Sequence, residues 1–172
     1  GFGSTGGPPM INVMYNNTYQ FLQTPEHVVV VVEMNHDARI IPMTNKVDQR
    51  NPQWLGNSKG KWEGDTLVVE TTNFNPGESL RTFFQNSYYL SSDAKVVERF
   101  TRVSDTEILY EFSVNDPKIF SQVWKAEMVF NKSDKPAYEY ACHEGNHSLP
   151  GILAGARRHD TLGRKNYAEE GE

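Results

Sequence analysis

The stretch Val28–Ile41, VVVVVEMNHDARII, begins as a valine run and then gathers Glu33, His36, Asp37 and Arg39. A histidine beside carboxylates can pass protons near neutral pH, so His36 with Glu33, Asp37 or the more distant Glu144 is a candidate acid–base set. Arg39 is a candidate anchor for a polar group on a ligand. Read as one continuous strand, the two-residue period places Glu33, Asn35, Asp37 and Arg39 on one face. The opposite face carries Val30, Val32, Met34, His36, Ala38 and Ile40. The pleat then forbids both sets from lining one interior, unless a bulge near Asn35 or His36 breaks the alternation. The plainer reading makes His36 a core imidazole satisfied by a carbonyl or a tyrosine, and the acids and Arg39 an ion-pair ladder on a solvated face.

Other residue patterns point to chemistry less directly. His143-Glu144-Gly145-Asn146-His147 has the spacing of a zinc-protease motif, which needs both histidines on one helical face. Here Tyr138–Cys142 reads as a strand and Gly145-Asn146 are poor helix formers, so no metal site is expected. Cys142 next to His143 on a strand would point to the opposite face, which disfavours a nucleophile–base pair. Serine chemistry finds no nucleophile elbow. Trp54, Trp62, Trp124, Tyr110 and Tyr140 are large rings suited to the walls of an apolar site, although such rings in a small β-protein are commonly core.

These residues must be positioned by strands. The chain has 172 residues, 12% of them aromatic, with a net charge of −5 and one cysteine. That is the size of one domain with a sizeable core. The acidic balance argues against nucleic acid as a partner, and the single thiol allows no intrachain disulfide. No stretch approaches the roughly 18 apolar residues of a membrane-spanning helix. Residues 1–9 are rich in Gly and Pro and are expected to be flexible and irregular, without the basic start and apolar core of a signal peptide.

A strand is expected over Val28–Met43, followed by a polar connection, Thr44–Lys59, that is a candidate lid. Lys61–Thr72 reads as a hairpin turning at Gly64. Asn73–Asp93 reads as loop with at most one helical turn. Strands follow at Val96–Val103, Glu107–Val114, Phe120–Phe130 and Ala137–His143. Pro150–Tyr167 should hold one short helix. About eight strands at hairpin spacing describe an all-β antiparallel meander. Its expected form is a closed lipocalin- or calycin-like barrel over residues 10–149, with a helical tail over 150–172.

The blocks Glu33–Pro42, Gln53–Thr71, Val97–Phe100 and Tyr138–Asn146, above all Trp62-Glu63-Gly64-Asp65-Thr66-Leu67-Val68-Val69, resemble a family of uncharacterised bacterial proteins. The resemblance implies a β-rich fold and, because such proteins often carry an export leader, a periplasmic or extracellular location. It implies no chemistry. The expected function is binding of a small, largely apolar or amphipathic molecule in a barrel cavity without a cofactor. The alternative is a cofactor-independent lyase, isomerase or hydrolase using His36 and a carboxylate in the same cavity. Oligomeric state is left open by the sequence.

Overall fold

The computed structural model describes residues 6–12, 17–46, 50–77, 80–83, 86–136 and 147–163. The chain forms two compact units, Gly1–Tyr140 and Ala141–Glu172. Among the described residues the first unit has ten strands: β1 (Tyr19–Gln23), β2 (His27–Val32), β3 (Ala38–Pro42), β4 (Asn57–Glu63), β5 (Thr66–Thr72), β6 (Leu80–Phe83), β7 (Asn86–Tyr89), β8 (Lys95–Arg102), β9 (Glu107–Asn115) and β10 (Trp124–Asn131). They make a three-stranded antiparallel sheet, β1-β2-β3, a five-stranded antiparallel sheet, β10-β9-β8-β5-β4, and the hairpin β6-β7.

The all-β reading holds, but no sheet closes into a barrel. The three-stranded sheet lies against the five-stranded one, and side chains join them where a barrel would need ladder hydrogen bonds. Phe21 of β1 meets Phe100 of β8 with ring centroids 5.6 Å apart, and Tyr19 meets Phe130 of β10 at 5.3 Å. At the other seam β3 crosses close over β4. A Cβ on the buried Gly60 would lie 2.8 Å from Met43 Sδ and 3.0 Å from Ile41 Cγ2, so only glycine fits that approach.

The expected single strand Val28–Met43 is two strands. A 3₁₀ turn, Met34–His36, reverses the chain, and the Val32 N–H donates to the Asp37 carbonyl at 2.8 Å. His36 sits at φ 54° in the left-handed region, where histidine is among the more tolerant residues. The reversal pairs Val30 with Arg39 and Val28 with Ile41. Arg39 and Ile41 therefore share the inward face with Val28, Val30 and Val32, all of them buried. A continuous strand would have put Arg39 opposite Val30 and Val32; the turn resets the alternation. Met34 is buried at the turn, which explains why the chain folds back with that side chain inward.

The β4–β5 hairpin forms as its sequence suggests. Glu63 pairs with Thr66 around Gly64-Asp65, and Gly64 has φ +61°. Strands β8 and β9 match their expected spans. Asn73–Asp93 departs from expectation: it contains the β6-β7 hairpin, an arrangement that its aromatic residues favour over loop. The connection before β4 is held by the neighbouring loop, since Gln53 donates to the Asn73 carbonyl and Asn75 donates back to the Gln53 carbonyl. The expected strand Ala137–His143 lies outside the described residues.

In the second unit one helix, α1 (Ser148–Thr161), forms within the tail where helix was expected, and it buries none of its residues.

Candidate functional site

In the five-stranded sheet β8 and β9 alternate, so each of these strands sends one set of side chains inward. On β8 these are Val96, Glu98 and Phe100; on β9 they are Tyr110, Phe112 and Val114. Glu98 is thus a carboxylate in a row of apolar side chains, with no exposed surface. A bare buried charge would be prohibitive, and the fold answers it with three hydrogen bonds from two side chains. Arg39 Nη1 donates to Glu98 Oε1 at 3.1 Å and Arg39 Nη2 to Oε2 at 2.5 Å, a two-pronged pair across the sheets. The Tyr110 hydroxyl donates to Oε1 at 2.7 Å. That hydroxyl in turn accepts the Met10 backbone N–H at 2.8 Å, which ties the N-terminal segment to the core.

Electrostatics follow from burial. Desolvation pulls the Arg39 pKa down, but the charge and hydrogen bonds of Glu98 overcome it, so the guanidinium is held more firmly charged than usual. Burial, reinforced by the Glu98 charge, pushes the Tyr110 phenol well above its ordinary range. Arg39 Nε is buried and has no hydrogen-bond partner among the described residues. The three side chains form a neutral-over-all, fully desolvated polar centre that fixes how the two sheets meet.

Beside this centre an apolar groove of about 640 Å³ opens along the inner face of β9 and β10. Phe112, Trp124, Ala126 and Met128 form its floor, Ile11 and Tyr88 its sides, and Phe120 an end wall. Trp124 is ringed by aromatic edges: Phe112 at 5.3 Å and 86°, Tyr88 at 5.7 Å and 81°, and Phe120 at 5.9 Å and 69° between centroids and planes. Such edge-to-face packing holds the indole in one orientation. Its Nε1 is buried without a hydrogen-bond partner among the described residues. Ser121 and Gln122 supply the polar lining, and none of the described lining residues is charged.

The end wall is built by a turn that the Asn115-Asp116-Pro117 sequence signals. The Asp116 carbonyl accepts the N–H groups of Ile119 and Phe120, at 3.0 and 2.8 Å. Its buried carboxylate accepts from the Ser91 N–H at 2.6 Å and the Ser91 hydroxyl at 2.8 Å. The loop before β8 therefore braces the loop that carries Phe120.

The sequence candidates scatter around this site. Trp124 lines the groove, and Tyr110 lies one step deeper, its ring 5.5 Å from Phe112. Arg39 is in the polar centre, where it pairs with Glu98 instead of a ligand. His36 is exposed on the β2–β3 turn, with Glu33 and Asp37 half-buried beside it, so these three do not join the groove. Trp54 and Trp62 are 57% and 47% exposed and wall no part of it. Glu144 and Tyr140 lie outside the described residues, as do His143 and Cys142.

Contrary to the reading that the sequence holds no nucleophile elbow, Gly56-Asn57-Ser58-Lys59-Gly60 has its literal Gly-x-Ser-x-Gly spacing. Ser58, however, lies inside β4 and shares a 2.8 Å hydrogen bond with Thr71 Oγ1 across the hairpin, not at a strand-to-helix turn. Glu70 and Arg99 form outer-face ion pairs, with Lys59 and Lys95, and with Glu63. Glu98 does not. Its signal was present in the sequence: the two-residue period puts it between Val96 and Phe100, on the face that must be buried.

No family model, curated protein or solved structure matches the chain.

Proposed function

We propose that the protein binds a small, largely apolar molecule in the groove around Trp124. The observation that carries this reading is the combination of size and lining. A concavity of about 640 Å³ is of the size that holds small ligands, and it is walled by aromatic and aliphatic side chains with few polar groups. The orphaned Trp124 N–H gives such a ligand a reason to carry a hydrogen-bond acceptor, because a buried donor without a partner costs about 1–3 kcal/mol. In this reading the site is not the barrel cavity expected from sequence but a groove along β9 and the edge strand β10 of the five-stranded sheet.

An acid–base enzyme has less support. The described residues lining the groove include neither a histidine nor a carboxylate, and His36 stands exposed elsewhere. A periplasmic or extracellular setting, suggested by the sequence resemblance, would suit a carrier of poorly soluble molecules.

The test is titration with the neutral fluorescent probe N-phenylnaphthylamine. Saturable binding that weakens at least about tenfold in Trp124→Ala, the scale of a lost aromatic anchor, and is unchanged in the exposed Trp62→Ala supports the reading. Absence of saturable binding, or equal loss in both variants, overturns it.

A further inference from the structure

Four residues lining the groove are aromatic, Tyr88, Phe112, Phe120 and Trp124, and they do not lie flat against one another. Phe112, Tyr88 and Phe120 stand at 86°, 81° and 69° to the Trp124 plane, with centroids 5.3, 5.7 and 5.9 Å from its own. Ring faces are the negative side of the aromatic quadrupole, and rings set at steep angles leave corners in which a rounded group meets more than one face. The described lining holds no basic side chain to repel a cation and no acid to demand a salt bridge. A negative group stands behind the end wall instead. Asp116, 1% exposed, lies in the turn that carries Phe120, and its carboxylate accepts the N–H and the hydroxyl of Ser91. Lys118, two positions on, pairs with Asp93 at 2.6 Å, and no cationic side chain among the described residues forms an ion pair with Asp116.

Resting on the groove reading, we propose that the groove selects quaternary ammonium molecules that carry an apolar chain and a carbonyl oxygen. The trialkylated head seats among the rings around Trp124, where cation–π attraction and the field of the Asp116 carboxylate favour its charge. A primary ammonium is disfavoured, because its three N–H donors need acceptors and only Ser121 and Gln122 supply polar lining. A quaternary nitrogen has no N–H and gives up no hydrogen bond on leaving water. The carbonyl serves the buried Trp124 Nε1, which has no partner among the described residues. The chain covers Ala126 and Met128 on the apolar floor. The net charge of −5 raises the local concentration of such cations around the protein.

The experiment compares butyrylcholine with its neutral carbon isostere, 3,3-dimethylbutyl butyrate, as displacers of N-phenylnaphthylamine from the full chain. The two share shape, chain and carbonyl; only the first is charged. In the wild-type protein the cation should bind roughly three- to thirtyfold more tightly than the isostere, the range of a partly to fully desolvated cation–π contact. That ratio should fall at least about twofold in Phe120→Leu, which keeps apolar bulk and removes a ring face. It should also fall in Asp116→Asn, which keeps the shape of the brace and removes its charge. A ratio cancels any loss of groove shape that both ligands feel, and the wild-type ratio needs no variant to fold. A wild-type ratio of one or less, or a ratio unchanged in either variant, overturns the cation reading, while displacement of the probe by the neutral ester keeps the groove reading standing. Absence of probe binding that depends on Trp124 overturns both.

Discussion

Arg39 on β3 and Glu98 on β8 meet across the interior in a bidentate pair from which water is excluded, their side chains 2% and 0% exposed. Such a pair does little for net stability, because desolvating both charges offsets most of their attraction. Breaking it is another matter. Glu98→Leu leaves a buried guanidinium unpaired and should lower unfolding free energy by about 3–5 kcal/mol. Adding Arg39→Met should restore most of that loss, since two apolar side chains then fill the space. Urea denaturation of the single and double variants decides it; a double variant as unstable as the single would refute the account.

Tyr110 makes stability sensitive to alkali. Its phenol is buried and faces the Glu98 charge, so its folded pKa stands well above the ordinary 10.0. Above pH 10 the unfolded chain releases this proton and the folded chain keeps it, so the folded state binds more protons and stability falls as pH rises. Below pH 10 both states hold the proton and the effect vanishes. Denaturation midpoints of Tyr110→Phe should therefore decline less steeply with alkaline pH than those of the wild type. Equal slopes would mean that Tyr110 ionises freely in the folded protein.

Much of this architecture was legible because strands announce themselves by alternation: β8 and β9 each carry a strict inward set, and Gly64 marks its turn. The Val28–Met43 segment was misread for the same reason. Its alternation looks continuous through Met34-Asn35-His36, and nothing local reveals that burying Met34 reverses the chain there. That one reversal moved Arg39 from a solvated face to the core and left His36 outside. Glu98 was overlooked because strand carboxylates are usually surface partners, and its mate lies 59 positions away in sequence. Trp124 and Tyr110 were found as aromatic candidates, but a groove assembled from β9, β10 and separate loop segments is a property of their packing, which no segment encodes alone.

Two glycines separate steric from conformational constraint. Gly60→Ala would drive a methyl to within 2.8 Å of Met43 Sδ and 3.0 Å of Ile41 Cγ2. The cost of such overpacking is about 1–3 kcal/mol, and Met43→Ala should relieve part of it. Gly64→Ala meets nothing within 4 Å, yet holds alanine at φ +61° for roughly 1–2 kcal/mol. Because that strain is in the backbone, Met43→Ala should leave its cost unchanged. Thermal or urea unfolding of the four variants distinguishes the two origins, and rescue of Gly64→Ala by Met43→Ala would contradict the assignment.

The groove's end wall supplies a graded test of how loops position the site. The Asp116 carboxylate is buried and takes both the N–H and the hydroxyl of Ser91, while its own carbonyl anchors Ile119 and Phe120. Asp116→Ala removes both side-chain bonds and should cost about 1.5–3 kcal/mol, the range for hydrogen bonds to a charged group. Ser91→Ala removes the hydroxyl and keeps the backbone donor, so its cost should be smaller. If Phe120 reaches Trp124 only because this brace holds the loop, probe affinity should fall in the same order, Asp116→Ala more than Ser91→Ala. Phe120→Ala should weaken binding with little loss of stability, since Phe120 is only half-buried. Full probe affinity in Asp116→Ala, in a folded protein, would show that the groove stands without its brace.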